Sequence, residues 1–241
     1  MDRQEYEYKS DRIRENYNFI IDRISEAATK SGRSINDITF VAATKTVPAE
    51  FINFAISLGL SDIGENRVQE LMGKYEDLDL TGKEVTTHFI GHLQKNKVKY
   101  IIDKVDLIQS VDSVELLKVI SNQAKKINKV QDVLIEINIG REENKSGIYL
   151  EEIEQTLYEM SNINNVNVRG FMAIPPKNDH ENQYLREFLK LGNLFIDKWN
   201  KKMDNINMKY LSVGMSSDFY EAILNGANMV RIGSLLFGER K

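Results

Sequence analysis

Three places in the sequence combine residue types and spacing that suit chemistry. Lys45 ends the run ITFVAATK, and a lysine directly after a stretch of apolar strand residues can project into the mouth of a parallel barrel. Partial desolvation there lowers an amine's pKa and frees it to form a Schiff base with an aldehyde. A solvated lysine in a strand-to-helix loop is the alternative. GMSSD, residues 214–218, offers a glycine, serine hydroxyls and the start of a helical pattern. Those features suit a phosphate, although an N-cap built on Ser216, Ser217 or Asp218 would use the same residues. VRIGS, residues 230–234, places Arg231 inside an apolar strand, which is costly unless the guanidinium is paired or faces a polar ligand. Gly233 permits close backbone approach and Ser234 can donate a hydrogen bond, whereas Glu136 or Glu65 would be the partner of a purely structural Arg231. A lysine after the first strand with two phosphate-type loops after the last two is the layout of a barrel holding a phosphorylated aldehyde.

The elements that must position these residues are legible in the hydrophobic pattern. Ile13, Tyr17, Ile20, Ile21, Ile24 and Ala28 form a one-sided stripe that predicts a long helix over residues 3–30. The run 38–44 reads as a buried strand, and Pro48 opens a helix to about Leu58. Further strands are expected at Ser61–Glu65, Thr87–Gly91, Leu107–Val111, Val133–Ile139, Val168–Ala173, Tyr210–Val213 and Met229–Ile232. Helical patterns lie between them near 67–77, 94–103, 114–127, 149–161, 182–203 and 218–225. Strands without polar alternation imply a parallel sheet covered by helices, and this alternation in 241 residues predicts an α/β fold, a closed (β/α)8 TIM barrel with an extra N-terminal helix. An open doubly wound sheet is the alternative. No linker-like stretch divides the chain, so residues 1–241 are expected to form one domain.

Composition narrows the chemistry. With 32 basic against 36 acidic residues the net charge is -4, which argues against nucleic acid as a partner. The absence of cysteine removes disulfides, thiolate ligands and a cysteine nucleophile, and three histidines leave little for a metal site. No window resembles a membrane span and the charged N-terminus lacks a signal-peptide core, so a soluble, cytoplasmic protein is expected.

Ordered motifs then bring a family into view. ATKTVP around Lys45, GENRVQE at 64–70, HFIGHLQKNK at 88–97, SVDS at 110–113, RGFMAI at 169–174, GMSSDFYEAI at 214–223 and VRIGSLLFG at 230–238 strongly resemble the pyridoxal phosphate homeostasis protein family. The family looks like the barrel domain of alanine racemase. The resemblance implies pyridoxal 5'-phosphate as cofactor, joined to Lys45 as a Schiff base. It also implies a phosphate site at Ser216 with the backbone of Gly233 and Ser234, Met215 among the cofactor-binding residues, Arg231 against the pyridine nitrogen, and Asn66 near the ring. Alanine racemase takes a second catalytic base from a domain that this sequence does not contain. The implied function is therefore a non-catalytic carrier or regulator of vitamin B6 and amino-acid balance, leaning towards a monomer, with pyridoxal phosphate-dependent apoenzymes as recipients. A racemase of unidentified substrate and a sugar-phosphate aldolase-like barrel are the competing readings.

Other features read as structural. His88 and His92, four apart on an expected strand, would share a face without a third metal ligand. The lysines at 95, 97, 99 and 104 read as a solvated helix face, residues 142–147 as a polar loop able to reach over the mouth, and Tyr6 and Tyr8 as packing or exposed residues.

Overall fold

The computed structural model describes residues 2–142, 144–176, 183–199 and 205–239. Eight parallel strands close in sequence order: β1 (Thr39–Ala43), β2 (Asp62–Glu65), β3 (Thr86–Phe89), β4 (Leu107–Val111), β5 (Gln131–Ile137), β6 (Val166–Ala173), β7 (Ile206–Ser212) and β8 (Met229–Ile232). The barrel closes where β1 pairs with β8, with Val41 opposite Arg231. The open-sheet alternative is thereby excluded.

The helices are α1 (Arg3–Lys30), α2 (Ala49–Ser57), α3 (Val68–Lys74), α4 (Val98–Ile101), α5 (Val114–Lys126), α6 (Ile153–Met160), α7 (Gln183–Trp199), α8 (Phe219–Leu224) and α9 (Ser234–Phe237). Asp2 caps α1 by accepting from the Glu5 N–H at 2.8 Å, and the expected stripe buries Ile13, Ile20, Ile24 and Ala28 against α2, α8 and α9. Pro48 is the N-cap of α2, one position earlier than a first-turn proline. The expected helices near 67–77, 94–103 and 149–161 are part 3-10 turn, and the end of the pattern at 182–203 lies outside the described residues. The one-turn α9 was not expected, because four residues carry too little periodicity to register.

The barrel interior is built in layers. Val41, Leu107, Leu134, Met172 and Met229 cluster at its centre with Tyr210 against them. Side chains on one face of a strand recur every second residue. Two positions further along, β4, β5, β7 and β8 carry Gln109, Glu136, Ser212 and Arg231. An apolar plug thus gives way to polar groups towards the C-terminal mouth, the end at which barrels of this type hold their ligands.

Candidate functional site

Lys45 follows the buried Thr44 in the turn between β1 and α2, and is itself half-buried. The turn is unusual: Thr46 has φ 63°, a conformation rarely adopted by a β-branched residue. Side chains from the next βα unit hold it there. The Glu70 carboxylate accepts from the Thr46 N–H at 2.8 Å. Lys74 Nζ donates to the carbonyls of Thr44 and Val47 at 2.9 and 3.0 Å, and to Glu65 Oε1 at 2.7 Å. The Thr44 hydroxyl donates to that same carboxylate oxygen at 2.6 Å. Backbone strain so pinned on both sides of one lysine is a common device for presenting a reactive side chain.

The loops after β7 and β8 come together beside it. Ser216 Oγ accepts from the Leu235 N–H at 3.2 Å, tying GMSSD to RIGS. Gly233 lies against β1: a Cβ there would stand 3.0 Å from the Ala43 carbonyl oxygen and 3.1 Å from its Cβ. A side chain there would need the strand that leads into Lys45 to give by a few tenths of an ångström. Asp218 is the N-cap residue of α8, yet its side chain makes no cap bond and instead accepts from the Met215 N–H at 2.7 Å. The simple capping alternative for this segment is therefore not realised. Met215 is 37 % exposed, so its side chain reaches outward from the loop.

Arg231 is buried, and its guanidinium donates to Ser212 Oγ at 2.6 Å and to the Ala173 carbonyl at 2.9 Å. It pairs with neither Glu65, which is bound to Lys74, nor directly with Glu136. Burial lowers its pKa to about 10, with Glu136 and Asp218 opposing, so it stays charged at neutral pH. Two of its five donors are committed. Asn66, just beyond β2, keeps its Oδ1 buried without a partner. Lys45, Asn66, Met215, Ser216, Arg231, Gly233 and Ser234 thus stand on or after β7, β8, β1 and β2, which are consecutive neighbours in the closed barrel.

A pocket of ≈ 510 Å³ opens beside the ends of β1 and β8, lined by Lys45, Gly233 and Ser234 together with Lys9, Arg12 and Phe51, whereas Asn66, Met215, Ser216 and Arg231 are not among its lining residues. Tyr8 lines it too and is 66 % exposed, in line with its reading as an exposed residue. The histidines depart from expectation. β3 ends at Phe89, so His88 lies in the strand and His92 beyond it, and they do not share a strand face. The polar loop after β5 is a built turn: Asn138 donates to the carbonyls of Glu142 and Lys145 and accepts from the Glu142 N–H.

Glu136 on β5 is a carboxylic acid whose pKa is strongly raised. Its Oε2 is buried without a partner. Burial first, then Asp112, raises its pKa from 4.5 to about 7, against the pull of Arg231 and Lys145. An acid whose folded pKa is raised loses folded stability as pH climbs from its unfolded to its folded value, and the penalty is constant above that. Glu136→Gln is expected to stabilise the cofactor-free protein by up to about 3 kcal/mol at pH 8 and to change little at pH 4. Urea unfolding at the two pH values checks this, and equal effects at both would contradict it.

Residues 10–241 match the family model described as alanine racemase, N-terminal domain. A protein of Aquifex aeolicus named pyridoxal phosphate homeostasis protein is 45 % identical over 225 residues, covering 92 % of this chain and 96 % of that one. This chain belongs to the pyridoxal phosphate homeostasis protein family. Among solved structures, an unknown protein from Bifidobacterium adolescentis aligns with a TM-score of 0.90 at 29 % identity, over 98 % of this chain and 97 % of that one. PipY of Synechococcus elongatus, solved with PLP bound, aligns with a TM-score of 0.75 at 28 % identity, over 89 % of this chain and 100 % of that one. The expected fold and family resemblance both hold. What the motifs of the pyridoxal phosphate homeostasis family did not point to is the scaffold behind Lys45, formed by Glu65, Glu70 and Lys74. Its signal was available: Glu65 is a carboxylate at the end of an otherwise buried strand.

Proposed function

We propose that this protein binds pyridoxal 5'-phosphate at the barrel mouth, covalently through Lys45, and serves as a non-catalytic carrier that buffers the cofactor for cytoplasmic apoenzymes. The observation that carries this reading is one pocket lined by Lys45 together with Gly233 and Ser234. When bound, pyridoxal phosphate supplies an aldehyde for capture by an amine and a conjugated ring.

The residues present suit that group. Ser216 Oγ accepts from Leu235 and so leaves its own proton to point at a phosphate oxygen, beside a glycine that keeps the loop free of side-chain bulk. Met215 and Ser234 complete the loop ends. The uncommitted Arg231 donors would meet the ring nitrogen, and the unpartnered Asn66 Oδ1 is an acceptor near the ring. A permanent donor at the ring nitrogen keeps it unprotonated and a weak electron sink, which suits carriage better than bond breaking. Among the described residues no helix is long and apolar enough to cross a membrane.

Titration of colourless protein with pyridoxal phosphate, followed by visible absorbance, tests the proposal. A saturable band at one equivalent is expected, and failure to take up the cofactor would overturn it. Arg231→Ala is expected to move the band while preserving attachment, since attachment needs the amine and the phosphate loops. Complete loss of binding would make Arg231 a structural residue.

A further inference from the structure

Arg231 is the end of a buried hydrogen-bond chain that crosses the barrel. Its Nη1 is 2.6 Å from Ser212 Oγ, which is 2.7 Å from Gln109 Oε1. Gln109 Nε2 is 2.9 Å from His88 Nδ1, and His88 Nε2 is 2.9 Å from Asp62 Oδ1. Ser212, Gln109, His88 and Arg231 are each no more than 5 % exposed, so water does not substitute for these partners.

The chemistry of the two ends fixes every proton between them. Arginine only donates, so Ser212 accepts from Arg231 and passes its single proton to the Gln109 carbonyl. The Gln109 amide then faces His88 Nδ1, which must carry a lone pair. The imidazole proton therefore sits on Nε2 and is donated to Asp62, a carboxylate that only accepts when ionised. The Gln109 amide also donates to Met229 Sδ at 3.2 Å. Turning the amide over would set its oxygen against that sulfur and leave Ser212 facing two donors.

We infer that Asp62, His88, Gln109 and Ser212 are positioning residues that hold the Arg231 guanidinium in one place, with His88 locked as a neutral Nε2–H tautomer. The inference deepens the proposed function by naming what aims the donor at the cofactor ring, and it rests on that reading only for its purpose. A chain satisfied at every link fixes its members more firmly than isolated bonds would.

The chain has three histidines, so long-range ¹H–¹⁵N spectra of the cofactor-free protein resolve them. One imidazole, assigned as His88, is expected to show Nε2–H and an unprotonated Nδ1. A protonated Nδ1 would overturn the inference. Gln109→Glu is isosteric, and its carboxylate can accept from both Ser212 and a protonated His88 Nδ1. It is expected to convert His88 to the imidazolium at neutral pH, and an unchanged tautomer would count against the chain.

Ser212→Ala removes the link next to Arg231. The Arg231 Nη protons are expected to exchange about tenfold faster, the effect of losing one charge-assisted bond, while the His88 tautomer is unchanged. Unaltered exchange would remove the positioning role. These readouts need no cofactor, so failure of pyridoxal phosphate to bind would overturn the proposed function and leave the chain to be judged by the spectra alone.

Discussion

Lys45→Ala is expected to abolish the visible band that the wild-type protein acquires with pyridoxal phosphate, while leaving the fold intact. Covalent capture of an aldehyde needs an unprotonated amine within reach, and no hydroxyl or amide in the turn substitutes for it. The side chain extends from a half-buried position in a turn outside the regular elements. Its loss should therefore change unfolding free energy by no more than about 1 kcal/mol. The phosphate loops are untouched, because Gly233 still lies against Ala43 and Ser216 still ties the two loops together. The variant should retain weak uptake that dialysis reverses. Absorbance before and after dialysis measures both effects, and an undiminished band would place the attachment elsewhere.

Lys74→Met is expected to produce the largest loss of stability among changes outside the apolar core, about 3–5 kcal/mol in urea unfolding. Lys74 is the cation that Glu65 faces, and the side chains are 13 % and 1 % exposed. Removing one member leaves a buried carboxylate uncompensated, which costs far more than a surface pair would. The other Glu65 oxygen is already without a partner, so the neutral Thr44 hydroxyl would be the carboxylate's remaining donor. The effect should reach the cofactor site as well. With its bonds to the Thr44 and Val47 carbonyls gone, the left-handed Thr46 turn loses one of its two restraints, and Lys45 with it. Covalent uptake should slow in the variant. Adding Glu65→Gln is expected to restore much of the stability without restoring the uptake rate, since the neutral amide removes the charge penalty but holds neither carbonyl. Recovery of both together would mean that Lys74 acts on the fold alone.

The barrel was legible because each βα unit repeats one signal, a short apolar run before a helical stripe. β4 and β8 have the expected bounds, whereas β7 begins four residues before Tyr210, at Ile206, where polar Asn207 and Lys209 mask the pattern. The β5 segment was expected two residues late, since Gln131 is buried through side-chain bonds to the carbonyls of Asp106 and Asp132 and does not look like a strand residue. The site was legible where one residue broke a pattern, as Lys45 and Arg231 do. By the same logic Gln109 in LIQSV and His88 in TTHF announce polar groups inside the barrel. What sequence spacing does not carry is which of these meet. Asp62, His88, Gln109, Ser212 and Arg231 come from five strands, and only the closed barrel sets them within bonding distance of one another. The Lys74 clamp is hidden for a similar reason: a lysine in the last turn of α3 reads as a favourable dipole partner, not as a cation reaching back to the preceding loop.

The most direct test of the account is mass spectrometry of the wild-type protein after loading with pyridoxal phosphate and reduction with borohydride. A single pyridoxyl phosphate adduct on the peptide containing Lys45 is the predicted result. An adduct confined to another lysine, such as Lys9 in the pocket wall or Lys145 in the loop after β5, or no adduct at all, would contradict it.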